Sequence, residues 1–131
     1  NSEPFLVVGS IESLPFKNEC FDLTFNEGVI EHLSNLPAAL KEMSRVSNII
    51  VLSFPNGLSP VYLLEKFLLR KIGKFPYDRY GKERNISINF VKNLLEKTGV
   101  KETQVINIAT RKSDGYLPAS LRSWAGIIAS K

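Results

Sequence analysis

The chain has 131 residues, 44% of them hydrophobic, and a formal net charge of +4. That is enough for one soluble domain with a core, while no stretch approaches the ~20 apolar residues that span a bilayer. Cys20 is the single cysteine, which excludes an internal disulfide and predicts a reducing, cytoplasmic setting. With no cluster of His or Cys near it, Cys20 reads as a plain core or turn residue rather than a nucleophile, and no metal site is expected.

Phe5 to Val8 is an apolar, partly β-branched run that predicts a buried strand. Pro15 cannot continue a strand ladder, so Leu14-Pro15-Phe16 turns the chain. Phe21 to Phe25 re-enters the sheet, and Asn26-Glu27-Gly28 stops it. Asn35 caps a helix whose first turn holds Pro37. Leu36, Leu40, Met43 and Val46 give that helix an apolar stripe, with Lys41, Glu42 and Arg45 predicted to point outward. Ser47-Asn48 ends it, and Ile49 to Phe54 is a continuous apolar run, a central strand.

Pro55-Asn56-Gly57 breaks that strand at its carboxyl end. Ser59-Pro60 opens a helix from Val61 to about Ile72. Val61, Tyr62, Leu63, Leu64, Phe67, Leu68 and Leu69 leave it little polar face. Such a helix is either buried between sheet and substrate or a lid over an apolar acceptor. Residues 73–86 form a Gly- and Pro-broken basic loop. Ser87 caps a further helix in which Ile88, Val91, Leu94 and Leu95 share a face, and Gly99 supplies a left-handed stop. Val100 to Ala109 predicts a strand, residues 110–122 a polar loop, and Trp124 to Ala129 the last strand. No internal repeat or low-complexity segment appears.

In open α/β sheets ligands sit at the carboxyl ends of the strands. Ser10-Ile11 and Asn26-Glu27-Gly28 would then be two adjoining walls of one crevice. The residues around them, GSIESLPF followed by FDLTFNEGVIEHL, resemble the middle of a class I S-adenosylmethionine-dependent methyltransferase of the small-molecule and lipid type. The resemblance continues in order through LPAALKEMSRV, IIVLSFPN and ISINFVKNLLEKTGV.

It implies an α/β fold, a Rossmann-like methyltransferase sheet that is amino-terminally truncated, with the third to seventh strands present and 1–131 a single partial domain. The segment 58–86 would be a helix and basic loop insertion on the acceptor side. Two βα units, roughly 60 residues at about 30 per unit, would be missing together with the glycine-rich loop. In the family's sheet the order is three, two, one, four, five, seven, six, so Phe5 to Val8 would lack neighbours and Phe21 to Phe25 would be left as an exposed edge.

The implied cofactor is S-adenosyl-L-methionine, held by Ser10, Ile11, Asn26, Glu27 and Gly28. Ile11 would offer its backbone N–H to the adenine, and Asn26 and Glu27 would meet the methionine portion. Ser10 stands where the family has an Asp that receives the adenine amino group, a weaker acceptor because it is uncharged. His32, matching the family's Glu-His pair, is the candidate proton acceptor; its other reading is a residue that ties the strand-to-helix loop together. Glu31 is read as structural, and Asp22 as an anchor for the loop beside its strand. Asn56 is a candidate substrate neighbour or an ordinary turn residue.

The basic run from Lys66 to Arg84 is a solvated face, or it binds an anionic substrate or a membrane surface. Phe67, Phe75, Tyr77 and Tyr80 lie among its bases, but without an RNA- or DNA-binding motif nucleic acid is disfavoured. The resemblance therefore implies methyl transfer to a small-molecule or lipid-like acceptor, with peripheral membrane contact as a further expectation. The alternative is a non-catalytic, methyltransferase-like partner-binding module. A nicotinamide enzyme is set aside because its Gly-x-Gly-x-x-Gly fingerprint is absent. The chain by itself should not methylate anything.

Overall fold

A computed structural model describes residues 5–75, 83–106 and 124–131. In chain order they form strand β1 (Phe21–Glu27), a single 3-10 turn (Ile30–His32), helix α1 (Leu36–Val46), strand β2 (Ser47–Pro55), helices α2 (Pro60–Lys71) and α3 (Ile88–Glu96), and strands β3 (Glu102–Ile106) and β4 (Trp124–Ser130). The described strands make one sheet in the order β1-β2-β4-β3. β1 and β2 are parallel, whereas β4 runs antiparallel to both β2 and β3. This is the four, five, seven, six order implied by the resemblance.

β2 lies inside the sheet, between β1 and β4, with one face of its apolar run fully buried. Ile50, Leu52 and Phe54 pack with Ala125 and Ile127 of β4 against α1 and α3. α1 contributes Leu36, Leu40 and Met43, and α3 contributes Val91 and Leu95, the stripes that their spacing predicts. Asn35 and Ser87 cap these helices through side-chain oxygens that accept the N–H of Ala38 and Phe90. Gly99 takes a φ of +88° after α3. No loop separates α1 from β2: the chain becomes extended at Ser47, whose buried hydroxyl donates to the Met43 carbonyl at 2.9 Å.

Two expectations change. Phe5 to Val8 is exposed and forms no strand: the implied strand order seats it two strands away from β1, and among the described residues β1 pairs with β2 alone. Nor do Glu42 and Arg45 simply point outward. Arg45 donates to the carbonyls of Leu14 (3.0 Å) and Phe16 (2.7 Å) and to Asn18 Oδ1 (2.9 Å), while Glu42 Oε2 accepts the Leu14 N–H at 2.8 Å. The pair straps the 14–18 turn onto α1, and the Arg45 guanidinium holds the Glu42 carboxyl down at about 2. Cys20 is an exposed thiol. Tyr77 and Tyr80, and residues 107–109 and 110–122, lie outside the described residues.

Candidate active site at the carboxyl edge of the sheet

β1 and β2 end side by side. Glu27 lies opposite Ser53, and Gly28, at a φ of +64°, donates its N–H to the Ser53 carbonyl at 2.8 Å. Asn26 is buried, whereas Glu27 is exposed. A short hollow on the α1 side of β1 brings Ile11 together with Asn26, Thr24 and Met43. Ser10 closes a turn with Ser13, and its hydroxyl accepts the Glu12 N–H at 3.2 Å. Glu12 Oε1 in turn accepts from the Asn35 N–H at 3.2 Å, so the 10–12 turn docks where α1 begins, on the carboxyl edge. Ile11 and Asn26 thus share a hollow, and Ser10 sits beside it rather than in it.

The 3-10 turn after β1 buries Glu31, whose exposure is 3%. Among the described residues, Oε2 of Glu31 and Nδ1 of His32 have no hydrogen-bond partner, nor do Asn26 Oδ1 and Ser53 Oγ. His32 Nε2 is 4.0 Å from Glu31 Oε1. Burial pushes the Glu31 carboxyl above the usual carboxylate range; its own backbone N–H and His32 pull it down in part, and the Glu83 charge raises it further. A methyl group in place of the Gly28 hydrogen would stand 3.5 Å from the Trp124 ring and 3.8 Å from Glu31 Oε1. Gly28, Glu31 and Trp124 are therefore neighbours.

Beside this turn runs a polar cluster that the sequence did not disclose. Residues 83–86 form a strap: the Arg84 N–H donates to the Glu31 carbonyl and the Gly57 N–H to the Ile86 carbonyl, both at 2.9 Å. Gly57 has to be glycine, since a Cβ there would lie 2.5 Å from the Asn85 Cα. Across the strap, Lys66 Nζ donates to Glu83 Oε2 and Asn85 Oδ1, each at 3.1 Å, and the Tyr62 hydroxyl donates to Glu83 Oε1. Lys66 also lies over the rings of Tyr62 and Phe75, at 5.5 and 5.8 Å. Asn56 is buried at the start of the α2 connection, where its carbonyl accepts the Ser59 N–H at 2.9 Å.

α2 turns its polar side inward. Tyr62 and Lys66 are its buried residues, while Val61, Leu63, Leu64, Phe67 and Leu68 are exposed. Only the Glu65-Lys66 pair interrupting the apolar run hinted at this. Among the described residues no helix is long and apolar enough to cross a membrane.

This sheet order, with α1 and α3 on one face and a polar cluster at the carboxyl edge, is the fold of the class I S-adenosylmethionine-dependent methyltransferases. Comparison with solved structures agrees. A Thermotoga maritima S-adenosylmethionine-dependent methyltransferase superposes with a TM-score of 0.75 at 21% identity, covering 97% of this chain and 64% of that one. One from Archaeoglobus fulgidus gives 0.61 at 18% identity, covering 92% and 63%. In sequence, residues 1–48 match the methyltransferase domain family. A tRNA U34 carboxymethyltransferase of Campylobacter jejuni is 34% identical over 111 residues, covering 79% of this chain and 34% of the relative. The Marinobacter nauticus protein of the same name is 28% identical over 116 residues, covering 79% and 31%. The chain thus spans about a third of the length of the curated relatives it matches.

Proposed function

We propose that the chain carries the β1–β2 wall and the acceptor side of an S-adenosylmethionine-dependent alkyl-transfer site, and that its acceptor is a nucleic acid. The observation that carries this reading is the placement of the unpartnered polar atoms. Asn26 Oδ1, Glu31 Oε2, His32 Nδ1 and Ser53 Oγ, all buried, lie at the carboxyl ends of β1 and β2 and in the turn between them. Each costs about 1–3 kcal/mol when left unmade, and a ligand on this edge would recover it.

The residues fit the cofactor in part. Ile11 and Asn26 line one hollow and would take the adenine and methionine portions, together with Glu27 and Gly28. Ser10 would contribute its hydroxyl from the rim. The sulfonium of S-adenosylmethionine supplies an already activated carbon, so the work left to the protein is alignment and proton removal. His32 is the proton acceptor in this reading, its imidazole lying beside the buried Glu31 carboxyl. Asn56 and the 58–86 segment border the acceptor.

The names of the relatives favour RNA over the small-molecule or lipid-like acceptor that the apolar α2 suggested. The relatives' names also mark carboxymethyl as a group that such a site transfers. The second reading, a non-catalytic module, is favoured by one observation: the Ser10 hydroxyl already accepts from Glu12.

Calorimetry with S-adenosylmethionine tests the proposal, on this chain and on the product of the whole reading frame that encodes it. Binding near micromolar, about −8 kcal/mol, is expected from the latter and not from the chain alone. Absence of binding in both would leave the non-catalytic module.

A further inference from the structure

We propose that the groove between α2 and the 83–86 strap is a binding site for single-stranded RNA, seating a phosphate and its adjoining base next to the Glu31 turn. This rests on the nucleic-acid reading of the acceptor given above and adds where and how the strand is held.

The groove measures about 500 Å³ and is lined by Leu63, Lys66, Phe67, Arg70, Lys71 and Asn85. The five helical residues stand at i, i+3, i+4, i+7 and i+8, one continuous face of α2. Three are cations and none of the six is a carboxylate. Lys66 is paired with Glu83, which is held by both Lys66 and Tyr62. The exposed Lys71 therefore brings positive charge to the groove.

Its remaining wall is apolar. Phe67 is 55% exposed and Leu63 40%, with Lys71 Nζ 4.5 Å from the Phe67 ring centre. Cations beside an exposed aromatic ring are the means by which single strands are bound, phosphates on the charges and bases on the ring. The Asn85 amide adds a polar edge at the side nearest the site. Because the neighbouring Arg84 N–H holds the Glu31 carbonyl, a strand seated here would present its next nucleotide to Glu31 and His32.

An anionic membrane is the competing occupant. A helix that lies in lipid needs an uncharged apolar stripe, but on α2 Lys71 stands between Phe67 and Leu64-Leu68 in the exposed arc. Asn85 also stands across from this face, on the groove's far wall.

The test is fluorescence anisotropy of the chain with a fluorescein-labelled, uridine-rich single-stranded RNA over a series of salt concentrations. Lys71→Glu should weaken binding about tenfold and lower the salt slope by about one. Phe67→Ala should weaken it about tenfold with little change in slope. Both residues are exposed, and far-UV circular dichroism with the urea midpoint reports that each variant keeps its fold. Lys101→Glu, at the opposite end of the sheet where its N–H meets the Ser130 carbonyl, should leave affinity unchanged.

Equal losses in Lys71→Glu and Lys101→Glu would overturn the proposal in favour of diffuse charge attraction. So would an unaltered affinity in Phe67→Ala, or binding to phosphatidylglycerol vesicles without binding to RNA. The functional reading fails separately: RNA seated in the groove without S-adenosylmethionine binding by the whole reading-frame product leaves the groove and removes the enzyme. Cofactor binding without RNA binding does the reverse.

Discussion

α1 and α2 follow the two parallel strands in the same way, yet they are built inside out relative to each other. α1 buries Leu36, Leu40, Met43 and Val46 and spends its polar side on the 14–18 turn through Glu42 and Arg45. α2 buries Tyr62 and Lys66 and leaves Leu63, Leu64 and Leu68 to solvent. Apolar burial is the main favourable term in folding, and it holds α1 far more than α2. A helix that keeps a lysine inside and leucines outside is organised around something other than its own packing.

The largest effect that can break this contrast is at Lys66. Its ammonium and the Glu83 carboxylate are both nearly buried and 3.1 Å apart, so Lys66→Ala leaves a buried charge uncompensated. A loss of about 3–5 kcal/mol in urea unfolding is expected. Adding Glu83→Gln should restore much of it, and a double-mutant cycle reads the coupling. If Lys66→Ala is neutral, α2 is held by other means and its inverted polarity has no energetic content.

Next in size is a matched pair of truncations. Leu40 in α1 is fully buried, and Leu40→Ala should cost about 2–5 kcal/mol. Leu68→Ala in α2, with the side chain half exposed, should stay within about 0.5 kcal/mol. Equal costs in the two helices would mean that the α2 face is covered in solution.

Smaller still are the caps. Asn35 and Ser59 accept the N–H of Ala38 and Tyr62 respectively. Each change to Ala should cost about 1 kcal/mol at its own helix. Global unfolding should register the Asn35 change, whereas hydrogen exchange within α2 should register the Ser59 change first, because a helix with few buried contacts opens locally.

The smallest effect is a slope. Glu42 sits at about 2 when folded against an ordinary 4.5, so its contribution is complete above 4.5 and is lost as pH falls toward 2. Glu31 is shifted the other way, upward from 4.5. The folded state then holds its proton longer than the unfolded chain, so stability declines as pH rises from 4.5 through the raised value. Glu42→Gln should flatten the acid limb and Glu31→Gln the limb above it. Chemical denaturation across pH separates them.

Most of the scaffold was legible from local pattern. The Leu36-Leu40-Met43-Val46 spacing, the unbroken Ile49–Phe54 run and the caps at Asn35, Ser59 and Ser87 each depend on nearby residues, and each is observed. Phe5 to Val8 has the composition of a strand, but a strand is defined by its neighbour, and the run is left without one as the implied strand order requires. Glu42 and Arg45 were assigned to solvent because helical periodicity knows nothing of a turn 28 residues earlier in the sequence.

The candidate site was legible in its backbone and not in its side chains. Asn26, Gly28 and His32 were named from the strand end. Lys66 and Glu83, 17 residues apart, read as ordinary surface charges, and Glu31 in its short turn offered no period from which burial could be inferred.

The strap also sets how the molecule can transmit force. Arg84 is tied to the turn after β1 and Ile86 to the residue just beyond the Pro55-Asn56 end of β2, with Asn85 alone between them. A two-residue span anchored at both ends has no slack. Whatever pulls on Asn85 from the α2 side must therefore drag a carbonyl of the Glu31 turn, the end of β2, or both, so a load applied in the groove is delivered at the strand ends without any intervening hinge.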